Sequence, residues 1–367
     1  MATIIGTTGN DSLVPGTGGD VLFGDPFAGV TLSAGHGGND ILSATNDGNT
    51  LIGDADTIAG TGRGGNDTLS ASGGGNVLVG DAGLDMSGSA RGGNDVLSAT
   101  GDGNSLRGDA RFDMSGSARG GNDTLSASGS NNNLYGDAGI NMLHDAQGGN
   151  DVLSVTGSNN NLYGDANSSL LNDARGGNDV LSASGDFNDL LGDAFGMFMN
   201  SRGGNDSLRA TGDFNELYGD ALEMRDSAVG GNDTLVGGMG DDLIVGDALF
   251  MQGNAKGGND HLWGDAKNAA SGGADTFAFA GLNGKDVIND FRPGEGDTLQ
   301  LSGYTTANGY ALTLDDVLDL SIAVVGGNTV IDIGASLGGP ANVNTITLAK
   351  FTGTLDDPGV IEFTNIV

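Results

Sequence analysis

Apolar residues in this chain come as two short runs nine residues apart, and the pair returns every 27 or 28 residues. The first run of each unit carries Leu42, Leu69, Leu97, Leu125, Leu153, Leu181, Leu208 and Leu235. The second carries Leu51, Leu78, Leu106, Leu134, Leu162, Leu190, Leu217 and Ile244. Runs this short, bounded by Gly, Asn and Asp, read as strands rather than helices. A further segment follows in which apolar residues alternate: Leu84/Met86, Phe112/Met114, Ile140/Met142, Phe195/Met197, Leu222/Met224 and Leu249/Met251. Period two is again a strand signal. Gly-Gly-Asn-Asp opens the units at Gly37, Gly64, Gly92, Gly120, Gly148, Gly176, Gly203, Gly230 and Gly257, and in the complete units Gly-Asp-Ala starts 16 residues later. All variation in length therefore falls in the third segment. A fixed period of this size predicts a solenoid. The expected fold is all-β and parallel, with about nine or ten coils of 27–28 residues stacked at about 4.8 Å. Each coil has two regular strands and a third, less regular side; a two-sided coil with a bulging loop fits the same pattern.

Stacking in register turns each repeated position into a column. The acid of Gly-Gly-Asn-Asp gives Asp11, Asp40, Asp67, Asp95, Asp123, Asp151, Asp179, Asp206, Asp233 and Asp260. The acid after the second strand gives Asp25, Asp54, Asp81, Asp109, Asp137, Asp165, Asp193, Asp220, Asp247 and Asp265. Unit charges about 5 Å apart repel by roughly 3 kcal/mol at an effective dielectric near 20. Along a column the sum exceeds the ~5–15 kcal/mol by which a domain is ordinarily stable. Either cations intervene or the carboxylates splay into water. Oxygen-only ligands with flexible glycine carbonyls suit Ca²⁺, and Mg²⁺ less well because it demands a tighter octahedron. The plainer reading is a solvated acidic turn that caps its own amides.

At the turn between the two strands the equivalent position is mostly amide: Asn49, Asn76, Asn104, Asn132, Asn160, Asn188 and Asn215. Stacked amides can hydrogen-bond with no charge to neutralise, so this edge is expected to be an asparagine ladder. Asp20 and Asp242 keep the acid there and join the metal-ligand candidates.

Composition narrows the function. With 71 Gly and 5% aromatic residues the core must be thin and repetitive. The formal charge of −34 disfavours nucleic acid and anionic membranes and favours cations. Cysteine is absent, so neither disulfides nor thiolate metal sites hold the fold. No run is long enough to span a membrane, and the first residues, MATIIG, lack the basic and apolar regions of a Sec signal peptide. His36, His144 and His261 occupy unrelated positions, and no nucleophile elbow or phosphate loop is present, so no enzyme is expected. A basic column runs just ahead of Gly-Gly-Asn-Asp: Arg63, Arg91, Arg119, Arg175, Arg202 and Lys256, broken by Gln147 and Val229. It fits internal pairing with an aspartate column or recognition of an acidic surface or glycan. The methionine stripe fits core filling on the third side or an adaptable partner surface.

Residues 6–23 read GTTGNDSLV and PGTGGDVLF, two consecutive nonapeptides of the form G-G-x-G-x-D-x-U-x, with U apolar. Here the chain resembles the RTX (repeats-in-toxin, haemolysin-type) calcium-binding repeat proteins. The resemblance implies a right-handed parallel β-roll or β-helix with Ca²⁺ held between the turns of successive coils. From Gly37 to Asp265 the pattern persists with a third segment intervening, and beyond residue 271 the chain changes character. There DTFAF and DVINDFRPGEGDTLQLSG look like the region that caps the roll in RTX proteins and leads into a C-terminal signal for type I secretion. The expected organisation is a calcium-binding solenoid over 1–271 and a capping and secretion-signal region over 272–367. The expected function is a secreted, extracellular structural protein that folds on Ca²⁺, with head-to-tail joining as a homo-oligomer or filament expected because the first coil starts close to Met1. The alternative is a Ca²⁺-dependent adhesin or carbohydrate-binding module with a cell-surface glycan as partner.

Overall fold

A computed structural model describes residues 2–15, 18–267, 269–304, 322–336, 343–353, 355 and 359–364. The chain is a right-handed parallel β-solenoid of about 10 turns. The strand that follows each Gly-Gly-Asn-Asp stacks on its counterpart in the next coil, forming a 14-stranded sheet, and the second strands form a 13-stranded one. Register is kept residue for residue: Val96–Thr100 lies on Thr124–Ser128 with Leu97 opposite Leu125 and Ala99 opposite Ala127.

Alternation decides which face is buried. In Val96–Thr100, Leu97 and Ala99 point inward while Val96 and Thr100 are exposed. The leucine columns of the two sheets, from Leu42 and Leu51 to Leu217 and Leu235, are fully buried against one another and form the first core. Each such leucine contributes about 1.5–3 kcal/mol. The chain turns from the first sheet to the second with Gly129 and its counterparts at φ near +117°, a conformation that a side chain resists.

The third side is a strand over much of its length. Asn141–Leu143, Ala166–Leu171, Ala194–Met197, Ala221–Met224 and Ala248–Met251 make a 5-stranded sheet. Its inward residues form a second core, separate from the first, built from Ala82, Met86 and Ala90 and their repeats, with Leu32, Ile58 and Leu170 taking the methionine's place in their coils. Met86, Met114, Met142, Met197 and Met224 are fully buried. The stripe fills a core.

Beyond residue 271 the sheets run on. Thr276–Ala280 stacks on Leu243–Val245, and Thr298–Ser302 stacks on Thr276–Ala280. Thr345–Leu348 extends the first sheet from Lys285–Ile288, and Asn328–Asp332 and Ile322–Val325 then join it antiparallel. This reversal ends the parallel stack. Phe291 packs edge-on to Phe277 and Phe351, filling the first core at that end.

Candidate metal centre

The two cores meet at a waist, and the waist is lined with aspartate. Each Gly-Gly-Asn-Asp turn enters the first sheet, and each Gly-Asp-Ala turn leaves the second sheet for the second core, so the two turns face each other. Glycine makes the approach possible. A Cβ at Gly92 would collide with the carboxylates of Asp109 and Asp81, and one at Gly80 with the Asp95 carboxylate and the Gly108 carbonyl. Every aspartate from Asp40 to Asp260 in one column, and from Asp25 to Asp247 in the other, is at most 3% exposed.

Backbone amides hold the columns in place. In the first, each aspartate N–H donates to Oδ1 of the next coil: Asp67 to Asp95 at 2.6 Å, Asp95 to Asp123 at 2.7 Å and Asp123 to Asp151 at 2.7 Å. In the second, the carboxylate accepts the N–H of the second glycine of the facing turn, as Gly93 donates to Asp81 at 2.9 Å and Gly177 to Asp165 at 2.8 Å. Asp109 and Asp137 engage both oxygens, but in most of the carboxylates one does this work. The other is left over: Oδ2 of Asp67, Asp95, Asp123, Asp151 and their repeats, and one oxygen of Asp54, Asp81, Asp165, Asp193 and Asp220, are buried with no partner in the chain.

Burial, and after it the charge of neighbouring carboxylates, pushes these acids far up. Asp81, Asp95, Asp109, Asp151 and Asp220 are raised well above the usual carboxylate range. Asp67 is pushed to about 9, and burial brings Asp123 and Asp179 to about 8. The ionised columns are therefore unfavourable in the folded chain unless cations offset them. Orphaned carboxylate oxygens from two directions, glycine carbonyls beside them and no nitrogen or sulfur donor make a hard-cation donor set, which Ca²⁺ fits. Asp11, at the start of its column, is different: only half-buried, and held low by the Thr7 amide.

The row reaches further than the repeat pattern indicates. Asp260 donates its N–H to Asp286 Oδ1 at 3.0 Å, so Asp286 extends the first column by a coil. Carboxylate oxygens of Asp247, Asp260 and Asp286 come within 4.8 Å of one another. The signal was present in Asn283-Gly284-Lys285-Asp286, where the second glycine and the acid survive and the first glycine does not. Asp265, expected in the second column, is elsewhere. It ends the first-sheet strand His261–Asp265, opposite Gly238, because the last unit lacks the nine residues that would carry its acid to the second sheet.

The opposite turn is built differently. Asn104 donates both its backbone N–H, at 2.8 Å, and its Nδ2–H, at 3.2 Å, to Asn132 Oδ1, and Asn132 does the same to Asn160 at 2.9 and 3.1 Å. These amides are fully buried and satisfied. Towards the C-terminal end the ladder turns acidic. Asn215 donates to Asp242 at 2.8 Å, Asp242 to Asp275 at 3.0 Å and Asp275 to Asp297 at 3.2 Å. Burial raises Asp242 to about 7, Asp275 to about 8 and Asp297 to about 7. Asp265 joins this end, and Arg292 Nη1 donates to its Oδ2 at 2.6 Å, so a guanidinium supplies part of the positive charge there. At the other end, Asp20 donates its N–H to Asn49 Oδ1 at 3.0 Å and accepts the Ala2 amide.

No curated protein matches the chain. A family model does: the RTX calcium-binding nonapeptide repeat (4 copies) matches residues 3–28, 61–86, 117–143, 145–168 and 228–248. That repeat is a structural, calcium-binding element rather than a catalytic one. The matched segments take in both faces of the waist, including Asp67, Asp81, Asp123, Asp137, Asp151 and Asp165. Carboxylates buried in pairs between glycine turns are what calcium-binding nonapeptides would build, and over these segments the chain carries RTX calcium-binding repeats.

Proposed function

We propose that a row of Ca²⁺ ions occupies the waist, each held by carboxylates of both columns, and that this row makes the solenoid a secreted structural protein that folds only where calcium is abundant. The observation that carries this is the set of buried carboxylate oxygens without partners, repeated coil after coil. In a calcium-poor cytosol their repulsion keeps the chain expanded and fit for export. At the millimolar levels outside the cell, ion binding contributes folding free energy directly. The ligands are Asp40 to Asp260 of the first column with Asp286, and Asp25 to Asp247 of the second. Asp242 and Asp265 belong to a smaller acidic cluster on the opposite edge, shared with Arg292.

Residues 1–271 then form most of the calcium-bearing body, and 272–367 supply its last ligand, Asp286, and end the stack. The expected type I export signal includes Asn365-Ile366-Val367, which lie outside the described residues. Assembly into a matrix or filament is the finer part of the proposal, and sedimentation with and without Ca²⁺ tests it. A crystal structure grown in Ca²⁺, with anomalous peaks used to locate the metal, tests the ion row. Peaks spaced by one coil along the waist are expected; a metal-free waist with ordered ions elsewhere would overturn the assignment.

A further inference from the structure

Among the described residues the basic column has no ion-pair partner. Arg63, Arg91, Arg119, Arg175, Arg202 and Lys256 are exposed and, among the described residues, none forms an ion pair, although the chain carries a net charge of −34. Internal pairing with an aspartate column does not occur. The backbones of these residues pair in parallel from coil to coil, with Gln147 and Val229 in the same row. The charges are thus rungs on a rigid, straight ladder with the coil rise of about 4.8 Å. Like charges so close repel, and an anion with the same spacing relieves that repulsion. Part of the row opens into a groove of about 250 Å³ lined by Asp173, Arg175, Asn200, Arg202, Ser227 and Val229.

We propose that this row binds a linear acidic polysaccharide with one carboxylate on each sugar residue, laid along the solenoid axis. The guanidinium forks donate to carboxylates in bidentate geometry. Asn200 and Ser227 offer hydrogen bonds to sugar hydroxyls, and Val229 offers an apolar patch to a ring face. Because the rungs are fixed by the backbone ladder, little ordering is needed on the protein side. A second copy of this chain fits less well: the stacked positions of its far turn read Asp47, Gly74, Asp102, Ser130, Ser158, Asp186 and Asp213, so only Asp186 and Asp213 could meet successive rungs. The proposal rests on the calcium reading in one respect. Arg91 is followed four residues on by Asp95, and the negative waist opposes an incoming anion until Ca²⁺ neutralises it.

The test uses the full chain in saturating Ca²⁺. Calorimetry measures binding of a short oligogalacturonate, of an uncharged oligosaccharide of equal length and of a single-stranded oligonucleotide, by the wild type and by R91Q/R119Q/R175Q/R202Q. Binding of the oligogalacturonate alone is expected, weakening with salt. The variant should bind about tenfold more weakly or worse, with unchanged Ca²⁺ stoichiometry and melting temperature. Equal binding by the variant would mean that calcium bridges two acidic partners, and would overturn the assignment. So would preference for the oligonucleotide, or a calcium-loaded dimer that the variant abolishes. A chain that is folded and binds equally well in chelator would sink the calcium reading and leave the row's assignment standing.

Discussion

The waist and the asparagine turn sit at opposite ends of the same strands, share the coil spacing and bury their polar side chains equally, yet one is acid and the other amide. At the turn, Asn132 takes two hydrogens from Asn104 and passes two to Asn160, so the ladder is complete within the chain. At the waist, Asp123 receives one from Asp95 at 2.7 Å, and its Oδ2 is left without a partner. An amide carries donor and acceptor and can repeat indefinitely. A carboxylate is acceptor only, and repetition accumulates charge. One end of each coil therefore closes by itself, and the other makes the fold conditional on a cation.

The comparison is tested most severely by removing calcium. Circular dichroism in chelator should show loss of the cooperative β signal, since the waist's repulsion exceeds the ~5–15 kcal/mol margin of an ordinary domain; full β signal in chelator at neutral pH would break the distinction between the two ends. Acid should substitute for the metal. The waist acids titrate higher in the folded chain than the ~3.9 of unfolded aspartate, so the metal-free fold takes up protons. Its stability is present below about pH 4 and is lost as pH rises through the folded values, about 7 at Asp193 and about 8 at Asp123. In saturating Ca²⁺ the trend reverses, because protons compete for ligand oxygens. Thermal melts across pH, with and without chelator, should therefore cross.

Exchanging the chemistry of the two ends sharpens the contrast at single coils. Asn132→Asp places a charge in the ladder and opposes its oxygen to Asn160 Oδ1, which should cost about 3 kcal/mol or more in a denaturant titration. Asp123→Asn keeps an acceptor for the Asp95 amide while deleting one buried charge. It should lower the Ca²⁺ count in calorimetry and, in chelator, slow the loss of stability as pH rises towards the folded value of about 8 at Asp123. Asn132→Ala, the mildest change, should cost about 1–3 kcal/mol and leave the Ca²⁺ count unaltered. A loss of ions equal to that of Asp123→Asn would mean that the two ends are not chemically distinct.

Much of this was legible in the chain itself. The leucine spacing set the two sheets, the alternating Leu84/Met86 pattern set the third side, and the repeated acids and amides set which positions stack, because in-register parallel pairing makes sequence period and spatial column the same thing. Asp265 was misplaced because Gly-Asp-Ala recurs there without the preceding nine residues, so the motif alone did not reveal which sheet it ends. Asp286 and Asp275 were missed because Asn-Gly-Lys-Asp and Gly-Gly-Ala-Asp are degenerate copies of the opening motif.

Period and composition by themselves determined that the protein is a parallel solenoid whose repeated acids call for a hard cation. Only the tertiary structure decided that the two aspartate columns share one buried waist between two cores, and that the basic column faces solvent instead of pairing with them. Sequence spacing fixes what stacks along the axis. Which columns face each other across it depends on how the coil closes, and here facing glycines allow two turns to approach more closely than any side chain would permit.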